Sequence, residues 1–599
     1  MSDAYVTTPD AVEARARPRE PHLSPRQWIH ENLFSSVGSG VLTVVFGLLV
    51  LVFVRGMLGF VFSPERQWDA AATNLQLLMV QAYPDAQFTR VWVSVGTLLA
   101  LTGLSVAAWG AAPRFAWRRL ASVAISVGVA VIGVGLLAPF SGGARLAYIG
   151  VGAVPVAIGL LGLRRFGPHD ERDVDGLGVL AALGAAVIVA LWVVPFGRHH
   201  FVNGEVIAEP GTIAFTTKLP LTVLFGVLLV AHRVGVVLRA RVRALRPILL
   251  GLWLLSPFVL TFIVLRDPAF DYGHVWTTDL PIYAAYAVGG GLLLWWLTRP
   301  GVGEIGRIVA ALVLVAALAS FLQPMRMIVR LDALLLALFA LAAPTFAGAR
   351  EARLRYVGAW VGLLAVFSWL VTAVNTPSTV QLPTGTFFFG GLGVTLMIAV
   401  YTILFSFPFG LVLALARTSR MPIFRVMATT YIEVIRGVPL ITVLIFFDII
   451  LPLVLPPGMD IARVASIVMG YSLFSAAYLA ENVRGGLQSI RRGQHEAAEA
   501  LGMSTAQKTV FIVLPQALRV SIPPLVGQFI ATYKETSLVA IIGLFDLLYI
   551  ARTVIPGSTA FQGSSRENLL VVSMIYWVGA YALSRASQRV ERKLGLGER

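Results

Sequence analysis

Apolar runs of about 20 residues recur along nearly the whole of this 599-residue chain, separated by short polar, arginine-bearing loops. A hydrocarbon core about 30 Å thick requires a stretch of about that length in a spanning helix. Lipid offers the backbone no hydrogen-bond partners, so only helices and closed barrels can cross it. The runs here are continuous, whereas barrel strands alternate apolar and polar residues, so the pattern predicts helices. The chain is 57% hydrophobic and 13% charged, far from the balance of a soluble domain. The expected fold is an all-α polytopic membrane protein with about sixteen transmembrane helices. Seven of these are expected at 331–347, 356–374, 387–416, 429–455, 462–483, 516–545 and 569–586.

The net charge is +16, most of it arginine. A basic balance can mark a nucleic-acid binder, but these cations cluster in loops between apolar runs, as the positive-inside rule requires of cytosolic loops. Placing both termini in the cytosol puts the clusters around Arg118, Arg241, Arg353, Arg420 and Arg491 inside. Arg326 and Arg330 disagree, since they would lie outside. There is no cysteine, so disulfides and thiolate metal sites are excluded. The first 30 residues lack an apolar core for a signal peptide and are expected to be disordered and cytosolic. Loops 62–90, 197–218 and 267–280 are expected to be short, structured and external. Residues 376–385 carry Pro377, Pro383 and Gly385, which break the helical pattern. The expected division is therefore a cytosolic tail (1–36), a multi-span region of unassigned role (37–374), an external linker (375–386), a C-terminal core (387–590) and a second cytosolic tail (591–599).

The loop at 485–515 is the most informative segment of that core. Glu496 through Leu501 contains only strong helix formers. Gly502 suits a helix stop, because it tolerates a left-handed backbone. Ser504 with Gln507 three residues later predicts a capping box opening a second helix, and Pro515 is expected to interrupt that helix at the membrane. The expected form is helix, sharp turn, helix, lying on the inner surface. On physics alone this fits an interfacial elbow without a partner as well as a docking element.

The residues Glu496-Ala497-Ala498, then Gly502, then Ile512, Leu514 and Pro515 are similar to the cytoplasmic Glu-Ala-Ala loop of permease subunits in bacterial ABC importers. Further runs resemble the polar amino-acid permeases, and within them the general L-amino-acid (Aap/Bzt-type) branch: Tyr431 to Leu440, Ala477 to Gly486, Leu514 to Arg519, and Lys534 to Leu538. The likeness extends to Asn32–Ser36, Asn74–Met79 and Tyr83-Pro84. Two features depart from it: Glu535 stands where Asp is commoner, and residues 112–370 hold more spans than the branch implies. The resemblance implies a five-helix type I ABC importer permease core (MetI-like) in an inner membrane. It implies import of polar L-amino acids by alternating access, with a separate ABC ATPase dimer, a second permease chain and an extracytoplasmic binding protein as partners. Glu496 to Pro515 would then couple to the ATPase. ATP and Mg would be held on the ATPase, and no cofactor on this chain.

Ionisable groups inside apolar runs default to functional candidates. Lys534 and Glu535 lie within such a run, and the resemblance places them, with Thr536 and Ser537, beside the substrate pathway. Gly437 and Pro439 are expected to kink a helix, either opening it toward a cavity or serving packing alone. Glu433 with Arg436, and Glu481 with Arg484, are spaced i,i+3, as intrahelical ion pairs or pathway groups. No phosphate-binding Gly-rich loop followed by Lys is present, so a transport subunit is expected rather than an enzyme. His199-His200 has no metal-ligand spacing to a further His, and His495 reads as surface. Two other classes stay open on the sequence. A lipid-linked glycosyltransferase would use external acids such as Asp267 and Asp271; a membrane scaffold or sensor would need no coupling loop.

Overall fold

The computed structural model describes residues 25–110, 114–165, 173–193, 197–202, 205–210, 214–265, 273, 275–346, 348–375, 389–455 and 461–593. The linker expected at 375–386 lies outside these from residue 376, as do Asp267, Asp271 and the last six residues. Among the described residues, thirteen helices are long and apolar enough to cross a membrane, or fourteen if one bent pair is counted as a span. The count among the described residues does not confirm the expected sixteen. Met327–Ala342 is only 16 residues long and holds Arg330 and Asp332. Arg350–Asn375 opens with Arg350, Glu351, Arg353 and Arg355.

The chain divides into two compact units. The first contains α1 (Pro25–Leu33), α2 (Val37–Val61), strand β1 (Arg114–Ala116), α6 (Trp117–Leu137), α7 (Gly142–Arg165) and strand β2 (Asp173–Asp175). Helix α1 occupies part of the tail expected to be disordered. Helices α6 and α7 approach through glycine: a Cβ on Gly128 or Gly152 would collide with the facing backbone. Small residues allow this closeness where lipid supplies no hydrophobic drive between helices.

The second unit begins with α3 (Trp68–Thr73), α4 (Leu75–Val80) and α5 (Thr89–Trp109). It continues with α8 (Gly176–Val193), hairpin strands β3 (Gly197–Val202) and β4 (Glu205–Pro210), α9 (Leu219–Arg241), α10 (Leu245–Leu265) and α11 (Trp276–Leu297). Next come α12 (Gly303–Ser320), α13 (Met327–Ala342) and α14 (Arg350–Asn375). The two-stranded pair β1–β2, which brackets α6 and α7, and the hairpin β3–β4 are small departures from an all-α chain. His199 and His200 pair with Ala208 and Ile207 in the second. The two arginines that break the charge rule are tied down by protein. Arg326 pairs with Asp279 at 3.4 Å. Arg330 is 3% exposed and donates to the Gln323 carbonyl at 2.6 Å.

The core follows: α15 (Gly391–Arg417), α16 (Pro422–Gly437), α17 (Leu440–Val454), α18 (Arg463–Gln488), α19 (Arg492–Ala500), α20 (Leu514–Glu535) and α21 (Ser565–Lys593). The expected single span at 429–455 is instead α16 and α17, bent by 103°. Pro439 supplies no N–H at that break, and α17 starts immediately after it. Helix α16 therefore lies across the spans, with Ala428 and Ile432 buried and Ile423, Met427 and Val434 exposed on the opposite face. The segment expected as an external loop at 62–90 is largely helical and packs into this core. Ala70, Ala71 and Leu78 join Leu547, Ile550 and Ala551 in one apolar cluster. Val80 and Tyr83 join Phe389, Val394 and Ile398 in another. Gln81, with φ 59°, turns the chain between them.

Candidate functional site

The loop after α18 builds the form its residues dictate. Helix α19 ends as a left-handed Gly502 (φ 73°) sends Met503 N–H back to the Ala498 carbonyl at 3.1 Å. Gly502 N–H bonds the Glu499 carbonyl at 2.9 Å, which completes a Schellman-type stop. Ser504 and Gln507 form a reciprocal capping box, with Ser504 N–H to Gln507 Oε1 at 2.9 Å and Gln507 N–H to Ser504 Oγ at 3.3 Å. The second helix is not interrupted by Pro515. A π-helical turn, Lys508–Val513, leads directly into α20, where Pro515 sits in the first turn. Leu514 N–H bonds back to the Thr509 carbonyl across the widened π turn, and Pro515, which has no N–H to give, follows directly where the hydrogen-bond ladder shifts.

Two side-chain links hold the two arms together. Lys508 Nζ bonds Glu499 Oε1, and Gln516 Nε2 donates to Gln494 Oε1 at 3.2 Å. Lys508 holds the Glu499 carboxyl below the ordinary carboxylate range, first by that hydrogen bond and then by its charge. Of the motif residues, Ala498 is buried against this arm, while Glu496, Ala497 and Gly502 are exposed. Leu501 at the tip is 80% exposed, and Val510 and Phe511 also face outward. Ile512 and Leu514 are half-buried.

Behind this loop, the ends of α15, α16 and α18 meet in an ionic cluster. Glu481 is its hub. Arg484 grips it with Nε and Nη2 at 2.8–3.2 Å. Arg417 Nη1 lies 2.7 Å from its Oε1, close but without hydrogen-bond alignment. Arg436 approaches at 3.8 Å. Arg417 also donates to Glu433 Oε1 at 2.7 Å. Glu481 thus pairs with Arg484, three residues on along the same helix. Glu433 pairs across helices with Arg417 rather than with Arg436.

Lys534 and Glu535 diverge, as neighbours about 100° apart on a helix must. Glu535 is half-buried, and the single proton of the Tyr471 hydroxyl is shared between its Oε2 at 3.1 Å and the Thr532 carbonyl at 2.8 Å. Thr536 is fully buried and donates to the Tyr533 carbonyl at 2.7 Å; Ser537 is half-buried. Lys534 is exposed and has no ion-pair partner among the described residues. At the other end of α18, Arg463 forks onto Asp448 of α17 at 2.6 and 2.9 Å and also bonds the Ile542 carbonyl. Among the described residues no group of His, Asp and Glu could hold a metal ion.

Residues 406–595 match the family model described as "Binding-protein-dependent transport system inner membrane component". The inner membrane amino-acid ABC transporter permease YhdY of Escherichia coli (strain K12) is 40% identical over 272 residues, which is 44% of this chain and 71% of that protein. The chain belongs to the amino-acid ABC transporter permeases. The BztC permease of Rhodobacter capsulatus is 40% identical over 246 residues, covering 40% of this chain and 57% of that one. A crystal structure of an amino acid ABC transporter with histidines is 32% identical over 34% of this chain and 92% of its own, with a TM-score of 0.31. This permease is thus a transport subunit of an inner-membrane importer rather than an enzyme.

Several site residues of the permease escaped the sequence reading. Arg417 counted there only as a cytosolic-loop cation, a topology marker. Tyr471 lies 64 positions from Glu535, and no local spacing links them. Asp448 sits in a π-helical turn, Phe446–Ile450, within an apolar run. That lone intramembrane acid was the one signal available.

Proposed function

We propose that this permease subunit imports polar L-amino acids by alternating access, driven through its α19 loop by a separate ATPase. The observation that carries the reading is the loop itself: a short helix with an exposed apolar tip, Leu501, fixed by two local caps and a Lys508–Glu499 link. A surface elbow needs no such protruding leucine, whereas a helix that docks in a groove on another chain does. Membership of the family carries with it an ATPase and a binding-protein partnership. One coupling segment per chain calls for a second permease chain to face an ATPase dimer, and ATP with Mg belongs on that dimer.

The polar cargo is supported by the name of the relative BztC, a glutamate, glutamine, aspartate and asparagine permease. Lys534 is the group best suited to meet a substrate carboxylate: it is a cation exposed on a span, with no ion-pair partner among the described residues. Gly437 and Pro439, at the break between α16 and α17, free backbone groups near the same helical bundle. The Glu481 cluster would pass movement of α19 to α15 and α16, since α18 runs from the cluster straight to the loop. The test is amino-acid-stimulated ATP hydrolysis by the complex reconstituted in vesicles, with native chain and with Gly502→Pro. The reading predicts loss of stimulation in the variant with assembly retained; unchanged stimulation contradicts it.

A further inference from the structure

A crevice of about 340 Å³ lies between α15 and α18, outside every site described above. Phe367 of α14 forms one wall, Met397, Tyr401 and Phe409 of α15 a second, and Val468 and Met469 of α18 a third. Its wall on α15 runs from Met397 to Phe409, which at 1.5 Å per residue is about 18 Å along the span. The shape is therefore a slot parallel to the helices, along the middle of α15 and the first half of α18.

The volume is roughly that of eleven waters in the liquid. Water needs polar partners, and here they are already used. Tyr401 Oη donates to Thr261 Oγ1 at 2.9 Å, with the Pro257 carbonyl at 3.1 Å. Ser472 Oγ donates to the Val468 carbonyl at 2.6 Å. Every other lining side chain is apolar. At the mouth, Phe409 is 53% and Met469 38% exposed, so the slot opens sideways from the bundle. A lateral opening in a spanning segment meets hydrocarbon, and the molecule available there with a long, narrow, apolar shape is a lipid chain.

We propose that this crevice is a binding site for one acyl chain of a membrane phospholipid, held between α15 and α18. The site is independent of the cargo and of the coupling loop, so its test stands apart from theirs. The photoreactive residue benzoylphenylalanine, placed at Met469 in the full complex, is irradiated in vesicles of phosphatidylethanolamine and phosphatidylglycerol. A second sample is irradiated after extended detergent washing. Leu312, 61% exposed on α12, is the comparison position. A held chain gives a phospholipid adduct at Met469 that survives washing at several-fold higher yield than at Leu312. Filling the slot with Ala465→Phe should abolish that excess, as read by intact mass, and co-purification of the partner subunits reports that the variant has folded. Equal loss at both positions, or an adduct to a second permease chain in place of lipid, overturns the proposal.

Discussion

At the scale of single residues, Gly502 is the position where chemistry constrains the chain most. Its φ of 73° costs an L side chain about 1–2 kcal/mol. Gly502→Ala should therefore loosen the stop of α19, and amide exchange across residues 492–508 should quicken; unchanged exchange contradicts the account. The Glu499–Lys508 link has a defined pH sense. The folded pKa of Glu499 is depressed, so what the link contributes is present above the ordinary glutamate pKa and is lost as pH falls through the lowered value. The protection factors of amides in this loop, meaning exchange corrected for its intrinsic pH dependence, should stay flat from neutral to mildly acidic pH; a fall over that range contradicts the account. Lys534→Met should weaken import of carboxylate-bearing substrates, read as a raised half-saturation concentration in vesicles. An unaltered value removes Lys534 from the pathway.

At the scale of elements, α18 connects everything: its start is clamped to α17 by Arg463 and Asp448, its end to α15 and α16 through Glu481. Glu481 is 15% exposed and faces three arginines. Glu481→Gln should cost about 3 kcal/mol, the lower end of what breaking a buried pair costs. It should also separate ATP hydrolysis from transport, with basal hydrolysis retained and import lost. Removal of Arg417 together with Glu481 should recover part of the lost thermal stability, because one of the three arginines left facing the missing carboxylate is then gone, while Arg484 and Arg436 remain. The same elements show what a sequence can disclose. The stop at Gly502 and the box at Ser504 and Gln507 were legible because their partners lie within five positions. The 103° break at Pro439 was signalled as a kink, but its angle depends on what α16 packs against. The Arg417–Glu481 contact spans two helices and leaves no periodic trace. The α3–α4 segment was misread because six-residue helices are too short to produce a readable period.

At the scale of the molecule, run length disclosed the class and most of the spans. The five-helix core and its coupling loop account for the family match; α10 meets that core through Thr261 with Tyr401, and Tyr83, which bonds the Val264 carbonyl of α10, meets it through Phe389. The arginine pattern predicts an orientation that can be tested directly, because the chain has no cysteine of its own. Thr505→Cys should resist a membrane-impermeant maleimide in intact cells, and Thr559→Cys should react. The reverse pattern would invert the topology and place the coupling loop on the wrong side for an ATPase. The same cysteine-free background gives the most direct measurement. Leu501→Cys, oxidised in the assembled complex against single cysteines in the ATPase surface, should form an interchain disulfide with the ATPase. A disulfide only to other copies of this chain, or none to the ATPase at any position, would contradict the coupling role of α19.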